Sequence, residues 1–346
     1  MWSDVVTHID TVEEITTIAG LERLRPEWWA LWHESRTATP FQTPSWIIAW
    51  WQRFGWDGLW VLALRSEDRL VGLAPLCIWN RQDISERTVL LIGTGITDYL
   101  DAVFAEDFEN AGAAAVFEHL SRECERWDVC DFQQLSVSSM LLTRELGEGW
   151  SDVITEQDVC PVLVFPDGAT DCTAFLPRKM RKNLRYYRRR AESAGEVRIE
   201  AASEANLDVL VDALFRLHTR RWERRGEAGM FADEDVQVFH RTLVRDLLQQ
   251  DLLCMYGLYL DGTVVACYYG MFAKGRVYSY MSCFDPDLPE LSLGTQIIGH
   301  AICDTARKDG VSFDFLRGQE DYKYLWGTTD HHTFRRRCRL NRSGRT

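Results

Sequence analysis

The residues best placed to do chemistry lie near the C-terminal end, where the apolar run Phe313-Asp314-Phe315-Leu316 breaks into Arg317-Gly318-Gln319-Glu320-Asp321-Tyr322-Lys323. Arg317, Glu320, Asp321, Tyr322 and Lys323 crowd one short polar stretch, and Trp326 follows just before Gly327. A strand that ends in a charged loop holds polar groups on a rigid support, which is where active-site edges are usually built. A second polar segment, Asp98-Tyr99-Leu100-Asp101, follows the glycine-bearing Gly93-Thr94-Gly95. It reads either as paired acids able to bind an amine or complete a base network, or as a solvated turn capped by Asp98.

The elements that must position these groups form two similar sets. Thr43-Pro44 is a cap residue followed by proline at the first helical position, and Trp46, Ile47, Trp50, Trp51 and Phe54 recur at helical spacing, predicting a helix over 44–54. Strand patterns at 59–64 and 70–78 flank Arg65-Ser66-Glu67-Asp68-Arg69 as a hairpin, with a third strand near 89–92. Later, 252–260 and 263–272 flank Asp261-Gly262, a tight-turn dipeptide.

Tyr99 to Phe104, an acidic loop, a helix near 109–126 and the strand Val129 to Phe132 match Tyr278 to Phe284, the loop 285–292, a helix near 293–309 and the strand Phe313 to Phe315. This repeat predicts a mixed α/β fold of two tandem domains, each a mostly antiparallel sheet flanked by helices, over 1–165 and 166–346.

Between the two sets, residues 171–195 read as a helix whose buried stripe is Met180, Leu184, Tyr187 and Ala191 and whose other faces carry Arg178, Lys179, Arg181, Lys182, Arg185, Arg188, Arg189 and Arg190. Further helices are expected near 204–224 and 233–250, and His218 on the apolar stripe of the first reads as a packed core histidine.

The formal net charge of −13 excludes a surface that attracts nucleic acid or anionic membrane as a whole. Only the basic helix and Arg335-Arg336-Arg337-Cys338-Arg339 remain for a polyanion. Ten cysteines show no CxxC pair and no zinc spacing, so no metal site is expected and the thiols read as reduced core residues. No basic-then-apolar leader and no membrane-length apolar run is seen, which predicts a soluble cytoplasmic protein. The tryptophans Trp28, Trp29, Trp32, Trp46, Trp50, Trp51, Trp56 and Trp60 read as aromatic core packing or as an aromatic cleft.

With Phe41-Gln42-Thr43-Pro44-Ser45-Trp46, Met180-Arg181-Lys182-Asn183-Leu184-Arg185 and the tail through Tyr322-Lys323 and Trp326-Gly327, the chain resembles the GNAT acyltransferase superfamily. It looks most like the CelD/BcsL-like branch, which is similar in plan to the tandem-domain Fem-type aminoacyl transferases. The resemblance implies acyl transfer to an amine, on a small molecule or a saccharide precursor, from acetyl-CoA or another acyl-CoA. The alternatives it carries are an aminoacyl-tRNA donor or a ligand-binding module that has lost catalysis.

In the family, CoA pyrophosphate lies on a glycine-bearing strand-to-helix loop. Here the equivalent residues are Ser292, Leu293, Gly294, Thr295 and Gln296, without the family's leading basic residue. The resemblance makes Lys323 the group that stabilises charge at the reacting centre, Glu320 or Asp321 the base and Tyr322 an acid, with Arg317, Tyr99, Asp101 and Trp326 on the substrate and Asp98 assisting. A surface lysine paired with Glu320 or Asp321 is the plainer reading of Lys323. The first domain, with acid at Glu106, Asp107 and Glu109, is expected to serve the acceptor side.

Overall fold

The computed structural model describes residues 7–81 and 85–341. They fall into two compact units, Met1–Asp158 with His332–Thr346, and Val159–His331.

The first unit begins with β1 (Thr11–Ile15), α1 (Ile18–Glu34) and α2 (Pro44–Phe54). There follow β2 (Leu59–Ser66), β3 (Arg69–Arg81), β4 (Glu86–Leu91), the short β5 (Val103–Phe104), α3 (Glu109–Arg122), β6 (Val129–Ser136), α4 (Met140–Thr143) and the start of β7 (Trp150–Val164). Thr43 caps α2 by accepting from the Trp46 amide, and Pro44 opens the helix. The sheet order is β1-β2-β3-β4-β6, completed by β13 (Thr329–Leu340) from the C-terminal end of the chain. Trp28, Trp32, Trp46, Trp50, Trp51 and Trp60 are buried core packing, while Trp29 and Trp56 are half-buried.

The second unit contains α5 (Arg178–Ala194), β8 (Val197–Ala201), α6 (Leu207–Glu223), α7 (Glu234–Gln249), β9 (Leu253–Leu260), β10 (Thr263–Ala273), β11 (Arg276–Phe284), α8 (Leu293–Arg307), β12 (Ser312–Asp314) and the single-turn α9 (Asp321–Tyr324). Its strands lie in the order β7-β12-β11-β10-β9-β8. Alternation along β10 divides the helices between two faces. Cys267 points to the Leu210 carbonyl of α6, while Tyr268 joins the core that includes Ile297, Ala301 and Ile302 of α8.

The repeat is present, with a corrected register. The counterpart of β11 is β4, because each is antiparallel to the second hairpin strand and parallel to the strand after the helix. The run Tyr99 to Phe104 alternates like a strand, but Tyr99 has φ +48° and the Asp101 carboxylate binds the next amide, so only Val103 and Phe104 pair with β3. The break between units falls at 158/159 rather than 165/166, and β13, in a stretch expected in the second domain and without a strand, completes the sheet of the first.

The expected helix over 171–195 starts at Arg178. Pro177 stands outside it in an extended conformation, after a separate turn at Cys172–Ala174.

Two charge and thiol readings also change. Cys172 and Cys303 form a disulfide, while the eight other cysteines are free and buried. Spacing hid this pair because 131 positions separate its members. The terminal arginines are neutralised within the first unit. Arg335 grips Asp131, Arg336 is 3% exposed and binds Asp152 and three backbone carbonyls, and Arg337 and Arg339 reach Glu86. They are not a polyanion patch.

Candidate active site

β11 and β12 run parallel but pair at only three positions, Arg276 with Ser312, Val277 with Phe313 and Tyr278 with Asp314. Beyond Tyr278 they part, and the cause is local. Asp314 has no exposed surface and accepts the Leu316 amide at 2.8 Å, while Leu316 takes φ +56°. A carboxylate that binds the amide two residues on stabilises such a turn and supports a non-glycine residue in the left-handed region. The chain then follows β7, with the Phe315 amide donating to Pro161 and the Gly318 amide to Val159, both at 2.9 Å. β11 continues beside β10 to Phe284. A V-shaped opening results between β11 from Ser279 onward and segment 315–318.

Lys323 fixes one wall of this opening. Its ammonium donates to the carbonyls of Leu316, Arg317 and Gly318 at 3.1, 2.8 and 3.1 Å and pairs with Glu320 at 2.9 Å. The residue is 3% exposed. Three carbonyls and a carboxylate take up the three protons, so the ammonium clamps the turn instead of facing a reacting group.

Tyr322 is exposed, edge-on to Phe315 with ring centroids 6.3 Å apart. Burial, aided by the Glu320 charge, pushes its hydroxyl up to about 12 against the pull of Arg221. It therefore stays protonated at neutral pH. Arg221, on α6, lies 5.0 Å from the ring of Phe284 at the end of β11. It brings a cation to this neighbourhood that the sequence did not single out, since only the fold carries α6 there. Glu320 and Asp321 are exposed and Arg317 is half-buried. Trp326 is 1% exposed, packed near Gly299 of α8 as part of the core.

The strand-to-helix loop is mixed in character. Ser292 adopts a left-handed conformation, and no side chain caps the start of α8. The Ser292 hydroxyl is bonded to Thr295. The amides of Leu293, Gly294 and Thr295 thus open a 15-residue helix with the positive end of its dipole. Gly294, however, is required by packing, because a Cβ there would meet the Phe284 ring at 2.8 Å. Arg220 and Arg224 neutralise Asp285 and Asp287 in the same loop. Gln296 is buried and donates to the carbonyls of Tyr187 and Leu291.

In the first unit, Asp98, Tyr99 and Asp101 share one loop. The Tyr99 carbonyl accepts from the buried Gln42 amide, which explains the Phe41-Gln42-Thr43-Pro44 stretch as a structural tie. Asp101 accepts from the Ser139 hydroxyl at 2.9 Å and the Ala102 amide at 2.8 Å, and burial raises its carboxyl to about 7 despite both bonds. Asp98 is 5% exposed.

His218 is packed against Phe231, and burial lowers it to about 4. His332 pairs with Glu156. Among the described residues no group of three or more His, Cys, Asp or Glu is arranged to hold a metal ion.

Paired parallel strands that part beside an uncapped helix start form the site, and residues 178–324 around it match the sequence profile of the acetyltransferase (GNAT) domain. Residues 178–324 of the second unit are thus similar in sequence to GNAT domains. The whole chain is similar in fold to FemX, at 12% identity over 94% of this chain and 96% of that one, with a TM-score of 0.67. It is also similar to the C-terminal domain of a putative lysylphosphatidylglycerol synthetase from Agrobacterium fabrum, at 13% identity over 91% of each chain, TM-score 0.57. L-PGS from Bacillus licheniformis is similar at 13% identity over 90% of each chain, TM-score 0.56. No curated protein matches the sequence. At these identities the likeness is one of fold. Among the described residues no helix is long and apolar enough to cross a membrane.

Proposed function

We propose that the protein is an N-acyltransferase that moves an acyl group from an acyl-CoA thioester to an amine on a small molecule or saccharide. The parting of β11 and β12 after three pairs carries this reading. An extended, amide-bearing donor arm suits a strand edge left open on one side, and its diphosphate suits the uncapped amides at the start of α8.

In such a transfer the amine attacks the thioester carbonyl, a tetrahedral oxyanion forms, and the thiolate departs with a proton. Tyr322 is assigned as the acid for the thiolate, as a hydroxyl in the turn beside the residues that Lys323 clamps. Glu320 is assigned to receive the ammonium proton, and Arg317 with Arg221 to offset negative charge. Lys323 is a positioning residue in this scheme. The branch placement from Met180 to Arg185 and the tail belongs to the same reading.

A second reading, a Fem-type transfer from aminoacyl-tRNA, is favoured by the fold shared with FemX and by the cationic α5. A thermal-shift series separates the two. Acetyl-CoA or a longer acyl-CoA should raise the Tm of the second unit, whereas a shift with tRNA alone at low salt would overturn the CoA assignment.

A further inference from the structure

A groove of about 650 Å³ runs between α5 and α8, within the second unit. Its position follows from sequence. Met180 and Ala191 are the buried residues of α5, so its cations fall on the flanks, and the stripe Gln296, Gly299, His300, Cys303 and Arg307 is the α8 face turned to it. Arg181, Arg185, Arg188, Arg189 and Arg307 line the groove. In a chain of net charge −13 this is a local reversal of sign in a concave site, where a low-dielectric wall strengthens the field.

Some of these cations are occupied. Arg188 binds Glu192 at 2.6 Å, Arg181 donates to the Thr173 carbonyl at 3.0 Å, and Arg307 binds Asp304 at 3.1 Å. Arg185 and Arg189 have no carboxylate partner among the described residues, and they stand one helical turn apart. The groove also has an apolar part, formed by Leu176, Leu184 and Ile199 beside the Cys172–Cys303 disulfide.

A third feature points to a ligand. Gln296, which lines the groove, is 5% exposed, its amide nitrogen is spent on two carbonyls, and its buried Oε1 has no hydrogen-bond partner among the described residues. Because the nitrogen's contacts fix the orientation of the amide, the oxygen is a buried acceptor in want of a donor. Burial holds the His300 imidazole below its usual pKa, and Arg307, Arg188 and Lys308 add to that against the opposing charge of Asp304.

We infer that this groove binds a small phosphorylated ligand that also carries a hydrogen-bond donor and an apolar or planar part, a nucleotide being the simplest molecule with all three. Arg185 and Arg189 take the phosphates, Gln296 accepts from an amino or hydroxyl group, and the apolar wall covers the planar part. The volume falls in the usual range for small-molecule sites, roughly 300–1,000 Å³, which favours such a ligand over a polymer held on an open face. Only Gln296 of the groove belongs to the first turn of α8, and the rest of the α8 wall, from Gly299 to Arg307, lies beyond the amides used in the acyl-transfer assignment.

Calorimetric titration of the full, oxidised chain with inorganic pyrophosphate and with ADP at low salt tests it without recourse to turnover. Both probes should bind, ADP about tenfold more tightly, and the Arg185→Gln/Arg189→Gln variant should weaken both by at least about tenfold. Both positions are exposed, and the single variants serve if the double variant melts early. Absence of binding by either probe, undiminished binding by the variants, equal affinity for the two probes, or RNA oligomer binding that millimolar ADP cannot displace would each overturn the inference.

Discussion

The residue that most changes meaning between sequence and structure is Lys323. Its type and place suggest a catalytic cation, yet it spends its protons on the carbonyls of residues 316–318. Lys323→Ala would leave buried carbonyls unpaired beside a cavity, a loss of roughly 2–4 kcal/mol. Chemical denaturation should register this in the second unit, and a variant as stable as the parent would refute the clamp.

Asp101 gives a test of opposite sign. Its folded pKa of about 7 lies above the unfolded value, so between about pH 4 and 7 the folded unit holds a proton that the unfolded chain has released. Stability of the first unit should therefore fall as pH rises through that window. Asp101→Asn keeps an acceptor for Ser139 and Ala102 and should flatten the pH dependence of Tm. An unchanged slope would show that Asp101 is not the group responsible. Such roles are hidden in sequence because they depend on what surrounds a charge. Asp314 reads as one polar residue in an apolar strand, and only its bond to the Leu316 amide makes it the cause of the opening.

At the scale of elements the sequence was legible where periodicity was strong. The helices over 44–54, 207–223 and 234–249 and both hairpins lie within a few residues of their expected positions. The run Tyr99 to Phe104 was matched to the wrong strand because alternation alone cannot tell a strand from an irregular loop with a left-handed residue at Tyr99. The basic α5 was legible as charge, but its groove was not, since the opposing wall lies over a hundred positions on.

The Cys172–Cys303 bond ties the turn before α5 to α8 and closes a loop of 131 positions. Reduction should lower the stability of the second unit by about 2–4 kcal/mol, by releasing the unfolded chain from that constraint. Differential scanning calorimetry with and without dithiothreitol checks this, and coincident traces would contradict it.

At the scale of the whole molecule the two units should respond to acid in opposite directions. In the second unit, burial lowers His218 to about 4 and His240 to about 3. From about pH 6.5 downward the unfolded chain binds protons that the folded unit refuses, and stability is lost. The first unit gains from Asp101 over much of the same range. Acidification from pH 7 to 5 should therefore lower the melting of the second unit relative to the first, a change visible in calorimetry. Parallel shifts of both transitions would argue against these groups.

The tandem plan was readable from the order of elements alone, since hairpin, strand, helix and strand recur in both halves. The donor was not, because Gly294 answers to Phe284 whether or not a diphosphate lies nearby. The most direct test of the central claim is a single-turnover assay with labelled acetyl-CoA and a panel of small-molecule and saccharide amines, comparing the parent with Tyr322→Phe. We expect transfer to at least one amine, with the rate reduced about 10²-fold or more in the variant at unchanged Tm, as for loss of a general acid. No transfer to any amine, or equal rates for parent and variant, would contradict it.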